Sequence, residues 1–211
     1  MKAQPKRVQN ARGEGERLRQ ELLEAATRIL EETGREDALS LRGVAREVGI
    51  SAPSVYLHFK NKTELVSTVL YAAYGTLATV MSEAGATAAR DGAGPRERMA
   101  AVVTAYRRFA IDKPLRYRLM FSLEYEPWRP PGTGKPVATV REAWTDAVDT
   151  YLTAVRPELR ADAQVLGIHL WTALHGQLVL WRTLPTRLGD SEDILIELEE
   201  SLLRRLLPEP E

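Results

Sequence analysis

The 211-residue chain contains no cysteine. That excludes disulfides and thiolate metal sites, and it fits a reducing, cytoplasmic compartment. No apolar run approaches the ~18–20 residues a membrane span needs, and no hydrophobic signal segment opens the chain, so neither a span nor a targeting segment is expected. Neither sign of charge is in excess: 29 Lys and Arg stand against 29 Asp and Glu. Histidines number only 3. His58 lies in a short helical stretch, and His169 and His175 are six residues apart, about 240° around a helix, so they cannot share a metal as an i, i+4 pair would. There is no Gly-rich phosphate loop, no H-E-x-x-H and no nucleophile elbow. No enzyme constellation, cofactor or metal site is therefore expected.

Apolar residues are present at 44%, enough for a core. The neutral total hides an asymmetry. Residues 1–20 hold Lys2, Lys6, Arg7, Arg12, Arg17 and Arg19 against Glu14 and Glu16, and the rest of the chain offsets them. Residues 1–13 are polar, basic and without periodicity, so they read as a disordered basic arm.

The most informative stretch is SLRGVAREVGISAPSVYLHFKNK, from Ser40 to Lys62. Ser40 is an N-cap, and Leu41, Val44, Ala45 and Val48 recur on one helical face. Gly49 suits a left-handed C-terminal turn, and Ile50 plugs it. Ser51 is a second N-cap, and Pro53 sits in a first turn, where a missing N–H costs little. Val55 and Phe59 form the inner face of this second helix. A small Ala45, a turn Gly49 and an inward Val55 are what two helices crossing in a helix-turn-helix require. An ordinary αα-hairpin satisfies the same three positions. The outward Ser54, Tyr56 and His58 suit base edges and phosphates, with no carboxylate to repel DNA. Asn61 to Glu64 reads as a capping box opening a long helix, with Lys60 and Lys62 at the end where an anion is favoured. Two exposed lysines are the plain alternative.

The run GVAREVGISAPSVYLHFKNKTELV resembles the DNA-binding domain of the TetR family of bacterial transcriptional regulators, above all in S-x-Y-x-H-F-K-N-K-x-E-L. The resemblance covers roughly Leu18 to Leu70 and implies a three-helix DNA-binding head over residues 14–62. It differs in one place: where such proteins often carry an aromatic near the glycine after the first helix, Gly34 is followed by Arg35, Glu36 and Asp37. The candidate DNA-contacting set is Ser40, Arg42, Ser51, Pro53, Ser54, Tyr56, His58, Lys60 and Lys62. Arg42 matches a family position suited to guanine; otherwise it is a solvated arginine.

Beyond residue 62 the periodicity predicts helices over residues 61–84, 95–112, 115–123, 137–155, 161–184 and 191–207, with a Gly-rich loop over 85–94 and a Pro-rich irregular loop over 127–136. The stretch 161–184 carries no charge from Ala163 to Trp181, so a helix there needs cover on all sides. The last helix is amphipathic. Both are expected to pack against their copies in a second subunit, and the resemblance implies the same homodimer. Trp171-x3-His175-Gly176 is similar to one branch of TetR-like C-terminal domains. Met99, Val103, Tyr106, Phe109, Phe121, Trp144, Trp171 and His175 come from separate helices and are the candidate lining of a pocket for an apolar or aromatic effector. His175 reads equally as a satisfied core histidine.

The expectation is an all-α protein, with a helix-turn-helix head on residues 14–62 and a sensing and dimerisation domain on residues 63–211. Its partners would be double-stranded operator DNA, a small effector and a second copy, with no membrane. It reads as a repressor. An activator of the same fold, or a helical ligand-binding or enzymatic protein with an incidental helix-turn-helix, are the alternatives.

Overall fold

The computed structural model describes residues 14–121, 135–183 and 192–207. The basic arm, most of the Pro-rich loop and the segment before the last helix lie outside them. Among the described residues the chain is helical without strands. The order is α1 (Glu14–Thr33), α2 (Leu41–Val48), α3 (Ala52–Tyr56), α4 (Lys62–Arg90), α5 (Pro95–Asp112), α6 (Pro114–Met120), α7 (Val137–Val155), a 3-10 turn (Pro157–Asp162), α8 (Ala163–Thr183) and α9 (Asp193–Leu206).

α1 buries Leu18, Leu22, Ala25, Ala26 and Leu30 as one stripe. That stripe meets Leu39, Leu41, Val44 and Ala45, then Val55 and Phe59, and closes the head. Gly34 stops α1 in a left-handed turn at φ +62°. No aromatic covers it. Leu115 and Arg118 of α6 occupy that space instead, and a Cβ on Gly34 would meet Arg118 Nη2 at 2.6 Å.

α4 joins the head to the larger domain without a break. The loop expected over residues 85–94 begins only after Arg90. Gly85 lies inside the helix because α4 approaches α5 there: a Cβ on it would meet Val102 at 3.1 Å. The alanines around it favour helix, so the small residues serve packing rather than a turn. α4 also holds a longer uncharged run than the sequence reading allows for. By length and composition it could cross a membrane, at mean hydropathy 1.4, because residues 65–82 carry no charge. Half of that stretch is buried within the protein, as in the core helix of a folded domain.

α5 and α7 pack beside α4, and α8 packs on α7, around Met81, Met99, Tyr106, Trp144, Leu152 and Leu170. The segment expected as one helix over residues 161–184 opens with the 3-10 turn and becomes α-helical at Ala163. Within a single chain α8 buries one side only. Leu170, Leu174 and Leu178 face the core, while Val165, Val179 and Leu180 stay exposed. α9 divides likewise, with Leu195 and Leu203 inward and Ile196 and Leu198 outward.

Candidate nucleic-acid interface

The geometry of the head follows from its caps. Ser40 is extended, and its Oγ accepts the Gly43 N–H at 3.0 Å, starting α2. Gly49 is left-handed at φ 74°, and the Ile50 N–H reaches back to the Ala45 carbonyl at 2.9 Å. This closes α2 in a Schellman-type turn. Only a residue without Cβ adopts that backbone cheaply. Ser51 begins α3 but caps no backbone group; its hydroxyl pairs with that of Ser54 at 2.8 Å. Pro53 occupies the first turn of α3. Val55 and Phe59 are fully buried beneath it, and the Arg19 guanidinium lies 4.9 Å over the Phe59 ring, tying α1 to the end of the motif.

The opposite side is exposed. Tyr56 is half accessible, Ser54 and His58 partly so, and Arg42, Ser51, Pro53 and Lys60 stand in solvent. Lys62 is the first residue of α4. Its helix start is the expected capping box: Asn61 Oδ1 accepts the Glu64 N–H at 2.8 Å, and Glu64 Oε2 accepts the Lys60 N–H at 2.7 Å. From Val48 to Thr63 there is no carboxylate at all. The motif thus presents hydroxyl, phenol, imidazole and ammonium groups on one face of a rigid support. One residue escaped the sequence reading. Leu57 is 85% exposed beside Tyr56, the most accessible large apolar side chain of the described residues. Its signal was negative: it falls outside the Val55–Phe59 inner face.

The larger domain gathers five of the eight candidate effector residues. Trp171 Nε1–H donates to the Tyr106 hydroxyl at 2.9 Å, and the Tyr106 and Tyr117 hydroxyls are 2.7 Å apart. Tyr117 Oη is 2.6 Å from His175 Nδ1. Phe121 leans on His175 at 4.5 Å, and Trp144 meets Tyr106 edge-on at 5.4 Å between centroids. Burial raises the Tyr106 and Tyr117 hydroxyls above the ordinary phenol range and lowers the His175 imidazole. Val103 and Phe109 are buried elsewhere on α5. The cavity of this domain lies beside the aromatic cluster, between α4, α5 and α7, and Met99 alone of the eight lines it.

α6 connects the two parts. Tyr117 faces the cluster, and the flanking arginines hold α1. Arg118 Nη2 donates to the Gly34 carbonyl at 2.7 Å, and Arg116 pairs with Glu31.

This is a helix-turn-helix DNA-binding head mounted on a helical domain with its own polar core and cavity. The model for bacterial regulatory proteins of the tetR family matches residues 22–69, and that for the tetracyclin repressor-like C-terminal domain matches residues 99–206. The chain belongs to the TetR family of bacterial transcriptional regulators. An uncharacterized helix-turn-helix regulator of Mycobacterium tuberculosis, Rv0681, is 27% identical over 168 residues, 78% of this chain and 70% of its own. The transcriptional activator FasR of Mycolicibacterium smegmatis is 32% identical over 130 residues, 62% of this chain and 56% of its own. Among solved structures, a TetR-family regulator from Streptomyces coelicolor aligns at TM-score 0.60 with 24% identity, covering 90% of this chain and 96% of that one. FadR from Bacillus subtilis, in complex with stearoyl-CoA, aligns at TM-score 0.59 with 16% identity, over 89% and 97%. The chain is thus a DNA-binding transcriptional regulator, and its relatives are regulators rather than enzymes.

Proposed function

We propose that this chain is a one-component repressor that binds a palindromic operator as a homodimer in the cytoplasm and is released by a small-molecule effector. The observation that carries the reading is the carboxylate-free surface from Val48 to Thr63, with Tyr56 exposed above a fully buried Val55 and Phe59. Tyr56, Ser54 and His58 enter the major groove, and Arg42 reaches a base edge from α2. Ser40, Lys60 and Lys62 hold phosphates. Leu57 joins them as an apolar contact suited to a thymine methyl group.

Dimerisation is supported by the stripe of Val165, Thr172, Gly176, Val179 and Leu180 on α8, continued by Ile196 and Leu198 on α9. A Cβ added at Gly176 would meet nothing within 4 Å, so a neighbouring helix can approach closely there. The effector acts through the helical domain and α6, whose arginines hold the end of α1. The FadR neighbour carries stearoyl-CoA, so a small molecule can be held by this fold.

The test is selection of bound fragments from genomic DNA. A palindromic site with half-sites about one helical turn apart, or a little more, is expected, with affinity falling steeply as salt rises. No preference over random duplex would sink the reading. FasR is described as an activator, which favours activation as the second reading. Transcription from the operator-linked promoter after deletion of the protein separates the two, since a repressor's loss raises it and an activator's loss lowers it.

A further inference from the structure

The cavity between α4, α5 and α7 has a volume of about 300 Å³, within the size range of small-molecule sites. Its walls are small side chains on two facing helices. Gly85, Ala86 and Ala89 come from α4, and Ala143, Ala147 and Ala154 from α7. Each set recurs at helical spacing, so the two faces run alongside each other and leave a slot rather than a filled interface. Below, α4 and α5 close at Gly85, where Val102 leaves only 3.1 Å for a Cβ. Two buried methionines, Met81 and Met99, line the same cavity, and their unbranched thioethers adapt to what enters.

The polar groups of the lining are Ser82, Arg98, Asp146, Thr150 and Tyr151. Arg98 is half-buried on α5. Its Nε–H donates to the Ala93 carbonyl at 2.7 Å, which fixes the guanidinium plane. No carboxylate of the described residues lies within ion-pair distance of it. Asp146 is exposed on α7, so a second charge of opposite sign marks a different part of the lining. The Thr150 hydroxyl is already used, donating to the Asp146 carbonyl at 2.7 Å. An apolar slot with one oriented, unpaired guanidinium is complementary to a molecule with an apolar body and a single anionic end. Asp146 repels such an end, which leaves Arg98 as its seat.

We propose that this cavity binds an amphiphilic carboxylate, with the carboxylate on Arg98 and the apolar body along the small-residue walls of α4 and α7. This rests on the reading of the helical domain as a sensor and gives that sensor's ligand class. The body replaces water over the alanine walls, and the guanidinium supplies a paired charge-assisted contact.

The test is calorimetric titration of the full chain with dodecanoate below its micelle concentration, beside dodecanol and dodecyltrimethylammonium. Dodecanoate should bind saturably and at least about tenfold more tightly than dodecanol, since a hydrogen bond to a charged group is lost with the alcohol. Arg98→Gln should bring dodecanoate down to the level of the alcohol while leaving the alcohol unchanged. Ala147→Phe, which fills the slot, should abolish both. Equal binding of acid and alcohol to the unaltered protein would overturn the assignment of Arg98. Tighter binding of the cationic amphiphile would overturn it in favour of Asp146, and no saturable binding would overturn the site altogether. These readouts involve no DNA, so failure of the operator selection and failure of this site are separate results.

Discussion

The Tyr117 hydroxyl and His175 Nδ1, 2.6 Å apart, belong to a chain of hydrogen bonds that is fully satisfied in one direction only. Trp171 Nε1–H can only donate, and it donates to Tyr106. If Tyr106 then donates to Tyr117, and Tyr117 to His175, every proton in the chain has an acceptor. That order requires His175 to be neutral, with its proton on Nε2. A protonated His175 would donate to Tyr117, reverse the links, and leave the Tyr106 proton without a partner. Burial, which lowers the His175 pKa, acts in the same sense. A His with a depressed folded-state pKa contributes stability that is present above its ordinary value of 6.5 and lost as pH falls below it. Acidification below about pH 6.5 should therefore destabilise the helical domain. His175→Phe should remove that acid-side loss and cost about 1–3 kcal/mol at neutral pH, because Tyr117 loses its acceptor. Thermal denaturation across pH checks it; an unchanged acid limb in the variant would refute the directed chain.

Glu199 should give the opposite slope. It is buried on α9 between Arg107 Nε at 3.0 Å and the rest of the core, with Glu192 on the same guanidinium. Burial outweighs the attraction of Arg107 and raises the Glu199 pKa to about 7. A raised carboxyl contributes stability that is full below about 4.5 and lost as pH rises through about 7. Glu199→Gln should abolish that loss between about pH 4.5 and 7. Arg107→Met should be far worse, on the order of 3–5 kcal/mol, since it strands a buried acid group beside Glu192. Chemical denaturation at several pH values distinguishes the two, and an equal cost for both would show that the pair is not what holds α9.

Within the head, Lys62→Ala should weaken all DNA sequences alike and reduce the salt slope by about one. Arg42→Ala should cost roughly 1–3 kcal/mol on the operator alone. Ser40→Ala differs from both. Its hydroxyl caps α2, so about 1 kcal/mol of stability should disappear even without DNA. Binding isotherms across a salt series, with denaturation of the free protein, separate the three effects.

Gly34 and Gly49 share a left-handed backbone, at φ 62° and 74°, but differ in surroundings. An added Cβ meets Arg118 at 2.6 Å and Leu115 at 2.8 Å at Gly34, and nothing within 4 Å at Gly49. Gly49→Ala should therefore cost only the backbone strain, about 1 kcal/mol. Gly34→Ala should cost more and loosen α6 from α1. Equal unfolding midpoints for the two variants would contradict the contact between head and core.

Leu180→Glu, on the exposed stripe of α8, should leave a folded monomer that no longer binds a palindrome tightly. Leu203→Glu, on the buried side of α9, should instead unfold the chain. Sedimentation and circular dichroism report the difference, and a dimeric Leu180→Glu protein would place the interface elsewhere.

The head was legible because its signals are local. Ser40, Gly49, Asn61 and Glu64 each act within four residues, and the hydrogen bonds they form are the ones their sequence positions imply. What depends on distant packing was not. Gly85 and its alanines read as a loop until α5 supplied a close neighbour. Tyr106 and His175 stand among the candidate pocket-lining residues, but an α6 residue that pattern alone does not single out, Tyr117, joins them to each other. The cavity, made largely of what alanines and glycines leave empty, has almost no side-chain signature in a linear reading. Arg107 and Glu199 are 92 positions apart, and nothing in either neighbourhood marks them as partners.

The unbroken run of α4 through Gly85 has a mechanical meaning. From Lys62 to Ala86 is roughly 36 Å of continuous helix at about 1.5 Å per residue. One end forms a wall of the cavity, and the other carries an ammonium group at the foot of the DNA-binding head. A rigid rod of that length, pivoting at the cavity end by about 5°, swings its far tip through about 3 Å, a full hydrogen-bond length. A joint at residue 85 would absorb such a tilt locally; a stiff helix delivers it to the phosphate backbone.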